Sequence, residues 1–154
     1  MRRSLVCLVS FTAFAALHAA AATGQIKKVL PHFLDLDGRH TRSPSLFDRD
    51  AYQAYLRLHP NQRSGIRFDI EWKAKGVEAS PLKLRVELRG VARGDIPKQM
   101  NLETDVRPGK RFENWTLLTL KGDDYKKIGE VTAWRVTLWD SDRLLSEQKS
   151  FLWE

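Results

Sequence analysis

Polar and apolar residues alternate with a period of two along most of the chain beyond Gly65, the mark of strands with one buried face. In GIRFDIEWKA, residues 65–74, Ile66, Phe68, Ile70 and Trp72 fall on one face and Arg67, Asp69, Glu71 and Lys73 on the other. LKLRVELRG, 82–90, repeats the pattern with Leu82, Leu84, Val86 and Leu88. A sheet with one wet face is antiparallel, because buried parallel strands read as unbroken apolar runs. Weaker alternation predicts a strand over 98–106, with Met100 and Leu102 inward, and NWTLLTL predicts another over 114–120. KGDDYKKIG then makes a crossing in which Asp123 or Asp124 caps a short helical turn. VTAWRVTLW, 131–139, turns Trp134, Val136 and Leu138 inward, and Asp140-Ser141-Asp142 reverses the chain into a last strand, RLLSEQKSFLW, 143–153. A three-residue loop there sets Leu138 opposite Leu144 and Arg135 opposite Glu147.

Ahead of Gly65 the period changes. SLFDRDAYQAYLRLHPN opens on Ser45, carries Asp48 three residues on as the other half of a capping box, and stops at Pro60. This predicts one short helix over about 46–58, with Phe47, Ala51, Ala54, Tyr55 and Leu58 on a face expected to lie on one end of the sheets. The stretch from Ile26 to Leu36 predicts the first strand. The expectation is therefore a mainly β chain of about seven strands. Residues 23–64 supply the first strand, a turn and the helix, and 65–154 supply the rest of one sandwich domain.

Composition adds the compartment. Residues 1–22, MRRSLVCLVSFTAFAALHAAAA, join a charged start, an apolar run and a tail of alanines, as a secretory signal peptide does, with cleavage expected after Ala20 or Ala22. Secreted or periplasmic protein without a stable membrane span after cleavage is the expectation; retention of the segment as an anchor is the alternative. Cys7 is the only cysteine and leaves with the signal, so no disulfide or thiolate metal site is expected. The formal charge of +7 falls to +5 without Arg2 and Arg3. Charges of both signs are interleaved, which argues against nucleic acid and allows an anionic envelope polymer or membrane surface as a contact.

The pattern beyond Gly65, with a tryptophan on an early core strand in FDIEW and a closing pair AWRVTLW and SFLW, resembles an immunoglobulin-like or fibronectin type III-like β-sandwich. The resemblance is of fold only and brings no residue roles with it. Asn114-Trp115-Thr116 is a glycosylation sequon, relevant only in a eukaryotic secretory pathway.

One stretch suggests chemistry. HFLDLDGRH, 32–40, resembles at Asp35-Leu36-Asp37-Gly38 the aspartate motif of haloacid dehalogenase-type phosphatases, which implies Asp35 as nucleophile and Asp37 as acid and base. The pattern departs from that family at Arg39, and no strand, helix and strand succession follows. An EF-hand reading fails too, since the sixth and twelfth positions from Asp35 are His40 and Leu46. Asp-Gly is a strong turn signal, and strand parity sets Phe33, Asp35 and Asp37 apart from His32, Leu34 and Leu36 with Asp35 facing water. His32, His40 and His59 show no metal spacing.

The tryptophans offer the other candidate site. Trp72 and Trp134 lie on apolar faces and read as core, whereas Trp139 and Trp153 fall where exposed indoles stack on sugar rings. The leading expectation is a non-catalytic domain, with no cofactor or metal, acting in binding or envelope structure. Its partner would be an envelope protein or an anionic or neutral glycan. The alternatives are a carbohydrate-binding module on Trp139 and Trp153 and a metal-dependent hydrolase built on Asp35 and Asp37.

Overall fold

The computed structural model describes residues 22–77, 81–109 and 113–154; the expected signal peptide up to residue 21, with Cys7, lies outside the described residues. Seven strands form in chain order: β1 (Thr23–Asp35), β2 (Arg63–Lys75), β3 (Leu82–Ala92), β4 (Ile96–Val106), β5 (Asn114–Lys121), β6 (Glu130–Asp140) and β7 (Arg143–Lys149). Helix α1 (Leu46–Leu58) lies between β1 and β2, and helix α2 (Gly122–Ile128) between β5 and β6. Among the described residues no helix is long and apolar enough to cross a membrane.

All pairings are antiparallel. One sheet has the order β1-β2-β5 and the other β4-β3-β6-β7. The chain changes sheet between β2 and β3, again between β4 and β5, and again through α2, so the arrangement is an immunoglobulin-like sandwich. Relative to the constant-type order, the fourth strand pairs with the third instead of the fifth.

The period-two positions make the core. Phe68, Ile70, Leu82, Leu84, Val86, Val136 and Leu138 are fully buried, and Trp72 and Leu88 are 1% exposed. Each such aliphatic or aromatic side chain contributes about 1.5–3 kcal/mol relative to standing in water. The Trp72 indole N–H donates to Thr116 Oγ1 at 2.9 Å, so the largest core side chain buries no unpaired donor. Trp134 is only partly buried, with its ring edge-on to Phe68 at 6.3 Å.

The chain departs from the sequence expectation in four places. Two α-helices form instead of one, because residues 122–128 wind nearly two turns before Gly129, at φ 74°, ends them; Lys121 stands at the N-cap, with Asp123 and Asp124 inside the first turn instead of capping it. The last strand ends at Lys149, after which Phe151–Trp153 coil into a 3₁₀ turn. The β6–β7 turn has two residues, Ser141 and Asp142, with Ser141 at φ 53°. A bulge then sets Leu138 against Ser146 and Arg135 against Lys149.

The fourth departure is the seat of α1. Its span and its cap are as expected: Ser45 Oγ accepts from Asp48 N–H at 3.4 Å. Its inward residues are instead Gln53 and Leu56, while Phe47, Leu58, Leu46 and Tyr55 are exposed. Polar bonds decide the orientation. Gln53 binds the backbone of β1 and of His40, and the buried Arg63 donates from Nε to Leu56 O at 2.5 Å and from Nη2 to Arg57 O. A guanidinium on the last carbonyls closes the helix C-terminus where its dipole favours a cation.

Candidate functional site

The motif with the strongest chemical suggestion lies where β1 meets α1. Asp35 ends β1, and residues 35–38 form a turn in which Gly38 N–H donates to Asp35 O at 2.9 Å with Gly38 at φ 77°. The turn folds His40 back along the strand. Asp35 is 3% exposed, which corrects the expectation that it faces water. The reason is α1, whose Tyr52 covers it from the side that strand parity left open.

Every oxygen of that carboxylate has a partner. Oδ1 accepts from the N–H of Asp37 at 3.0 Å and of Arg39 at 2.8 Å; Oδ2 accepts from the Tyr52 hydroxyl at 2.7 Å. The guanidinium groups of Arg39 and Arg42 stand 3.5 and 3.8 Å from Oδ2. Burial alone would raise the Asp35 pKa, but the bonds from Tyr52 and the two backbone N–H groups hold it below its ordinary value. Burial and the same contact raise that of Tyr52. Asp37, by contrast, is exposed and paired with Arg39. The two aspartates share Arg39, but Asp35 is buried and Asp37 exposed, and Asp35 acts as the hub of the turn.

A second polar cluster lies beside it on the outer face of β1 and β2. His32, 8% exposed, places Nε2 3.8 Å from Asp69 Oδ2, and its ring lies 5.2 Å from that of His40. Arg67 grips Asp69 through two bonds of 2.7 and 2.8 Å. Burial lowers the pKa of both histidines, and Arg67 and Arg49 lower them further against the opposing pull of Asp69. Sequence spacing gave no hint of this pair, because His40 reaches His32 only through the turn at Gly38. Among the described residues, no group of three or more His, Cys, Asp or Glu side chains is placed to hold a metal ion.

Trp139 and Trp153 both lie on the outer face of the four-stranded sheet, at opposite ends. Trp139 is level with Lys83 on β3, whereas Trp153 is held at Arg89, six residues and so roughly 20 Å further along. Trp153 is 9% exposed, not free for stacking: the 3₁₀ turn folds it under Arg89 and Arg135, whose guanidinium carbons lie 4.1 and 5.0 Å from its ring centre. Arg89 also donates to Trp153 O at 3.0 Å. Trp139 stays partly exposed beside a shallow cleft of about 210 Å³ that it shares with Lys83, Arg85, Ser141 and Asp142. The sequence reading did not single out the indole that is most open, Trp115 on β5, which is 51% exposed next to Leu117 at 54%. Asn114 of the sequon accepts from Gly109 N–H at 2.8 Å.

No protein-family model and no curated protein matches the chain. Among solved structures it is similar to an immunoglobulin-like protein from Pseudomonas aeruginosa, at 15% identity over 86% of this chain and 96% of that one, with a TM-score of 0.37. It is also similar to part of a β-glucosidase from Kluyveromyces marxianus, at 10% identity over 84% of this chain and 14% of the enzyme, with a TM-score of 0.31. The immunoglobulin-like description rests on the strand order and register given above.

Proposed function

We propose that this chain is an exported, non-catalytic immunoglobulin-like domain that acts by binding or as a structural part of the cell envelope. The observation that carries the reading is the state of Asp35. Its Oδ1 holds two backbone N–H groups and its Oδ2 a tyrosine hydroxyl, so the carboxylate with the most nucleophile-like sequence context is committed to closing a turn. A nucleophile needs a free lone pair aimed at an open space. Export follows from residues 1–22 and is read by intact mass of the exported protein, which should begin at Ala21 or Thr23. The catalytic question is read with p-nitrophenyl phosphate and Mg²⁺. No turnover is expected, and turnover that disappears in Asp35→Asn would overturn the reading.

One observation favours a glycan as ligand within it. Trp139 stands beside Lys83 and Arg85, which Glu103 pairs at 3.6 and 2.5 Å, with Ser141 and Asp142 as partners for sugar hydroxyls, a combination suited to a neutral sugar stacked on the indole. Titration with a neutral oligosaccharide should then quench tryptophan fluorescence in the wild type and leave Trp139→Ala unchanged. Trp153, buried under its arginines, takes no part in this contact.

A further inference from the structure

Helix α1 carries two faces, and the sandwich uses one. Gln53 and Leu56 point inward, and Phe47, Ala51, Ala54 and Leu58 lie together on the opposite side at 100° per residue. Phe47 is 81% and Leu58 78% exposed. These four positions repeat with spacings of four, three and four, the seam of a helix that packs on another helix.

The seam is complementary to itself in one orientation. In an antiparallel pair related by a two-fold axis passing between Ala51 and Ala54, Phe47 meets the second copy's Leu58 at each end, and Ala51 meets the second copy's Ala54 in the middle. Small residues at the centre let the helix axes approach closely while the large ones close the two ends. The flanks match as well. On one side Asp50, which stands 3.5 Å from Arg49 Nε in its own chain, comes opposite the second copy's Arg57, an ion pair made twice by the symmetry; on the other, Asp48, whose Oδ2 accepts from the Ser43 hydroxyl at 2.8 Å, comes opposite the second copy's Tyr55 hydroxyl. Tyr55 is already held in place by stacking on His59 at 4.1 Å. A parallel pair would instead put Ala51 on Ala51 and Asp50 level with Asp50, without the size match or the charge match.

We propose that the chain self-associates through α1, two copies packing antiparallel across this two-fold axis. A seam of four residues on one 13-residue helix is small for a specific interface, so the dimer is a weak and reversible one. The inference stands independently of the binding or structural role proposed above.

Sedimentation equilibrium on protein purified from the exported fraction of cells expressing the full chain tests it. A monomer–dimer equilibrium is expected. Phe47→Glu or Leu58→Glu should raise the dissociation constant at least tenfold and leave the melting temperature within about 2 °C, since neither side chain is part of the folded core. Asp50→Arg and Arg57→Asp should each weaken the dimer, and the double variant Asp50→Arg with Arg57→Asp should restore it to within about threefold, because the pair forms only between copies. A monomer up to roughly 1 mM, or a dimer that ignores Phe47→Glu, would overturn the proposal. So would failure of the double variant to recover. Monomeric protein that floats with anionic vesicles and loses this in Phe47→Glu would assign the seam to a lipid surface instead, and the dimer would fall.

Discussion

Gln53 of α1 completes the hydrogen bonds of Phe33 as a neighbouring strand would. Its Oε1 accepts from Phe33 N–H at 2.8 Å and its Nε2 donates to Phe33 O at 2.9 Å, while a further bond of 2.7 Å reaches His40 O. β1 is the edge of its sheet at this point, and the side-chain amide supplies both the donor and the acceptor that an edge strand lacks. Gln53→Ala should therefore leave buried backbone groups unpaired and cost about 2–3 kcal/mol in urea titration. Gln53→Glu should be no rescue, since it keeps the acceptor and loses both donated bonds. A loss below about 0.5 kcal/mol in either variant would show that water replaces the amide.

The same contact explains which parts of the fold were legible in the sequence. β2 and β3 were readable because the inward side chains from Ile66 to Trp72 and from Leu82 to Leu88 alternate with polar ones, so burial and alternation coincide except at Glu71. The ends of α1 were readable because Ser45 and Pro60 act on the nearest few residues. Its facing was not, since the inward side is fixed by Gln53 and Arg63 bonding to backbone atoms of distant segments, which no apolar period records. The burial of Asp35 depends on Tyr52, 17 positions away, and that of Trp153 on arginines from β3 and β6 on the outer face of the same sheet, where parity predicts water. The β6–β7 register failed for a local reason, a bulge beside a two-residue turn.

Asp35 and Gly38 hold the turn by different means and should fail differently. Asp35→Ala strands two backbone N–H groups and the Tyr52 hydroxyl, and is expected to cost about 2–4 kcal/mol. Gly38→Val adds no clash, because nothing lies within 4 Å of the new Cβ, so its cost is backbone strain alone at φ 77° and about 1 kcal/mol or more. Chemical denaturation of the two variants checks the order. Equal losses would mean that the carboxylate bonds contribute little beyond the turn itself.

Arg63 joins β2 to the end of α1 and to Glu130 at 2.8 Å, with its guanidinium carbon 3.9 Å from the centre of the Phe33 ring. Its side chain is 2% exposed. Arg63→Met keeps much of the volume but strands the carbonyls of Leu56 and Arg57, and should cost about 2–4 kcal/mol. Lysine should recover only part of this, since one ammonium cannot reproduce the planar fork. Amide exchange should show the loss concentrated in α1; uniform loss across both sheets would mean that Arg63 supports the core instead of the helix.

Acid should weaken the fold through His32 and His40. Burial is the first cause of the lowered pKa at each; Asp69 opposes it, while Arg67 from β2 and Arg49 from α1 add to it at both rings and His40 adds to it at His32. In the unfolded chain both imidazoles take up protons near their ordinary value of 6.5; in the folded chain they do so only at lower pH. Between the two values the unfolded state binds more protons, so stability rises with pH through that window and is lost as pH falls below about 6.5. Asp35 does not contribute there, because its depressed pKa keeps its stabilisation until the pH falls below about 3.8. Melting temperatures measured from pH 7.5 to 5 at constant ionic strength should fall on the acid side, and the fall should flatten in a His32→Gln, His40→Gln double variant. An unchanged slope in that variant would place the acid sensitivity elsewhere in the chain.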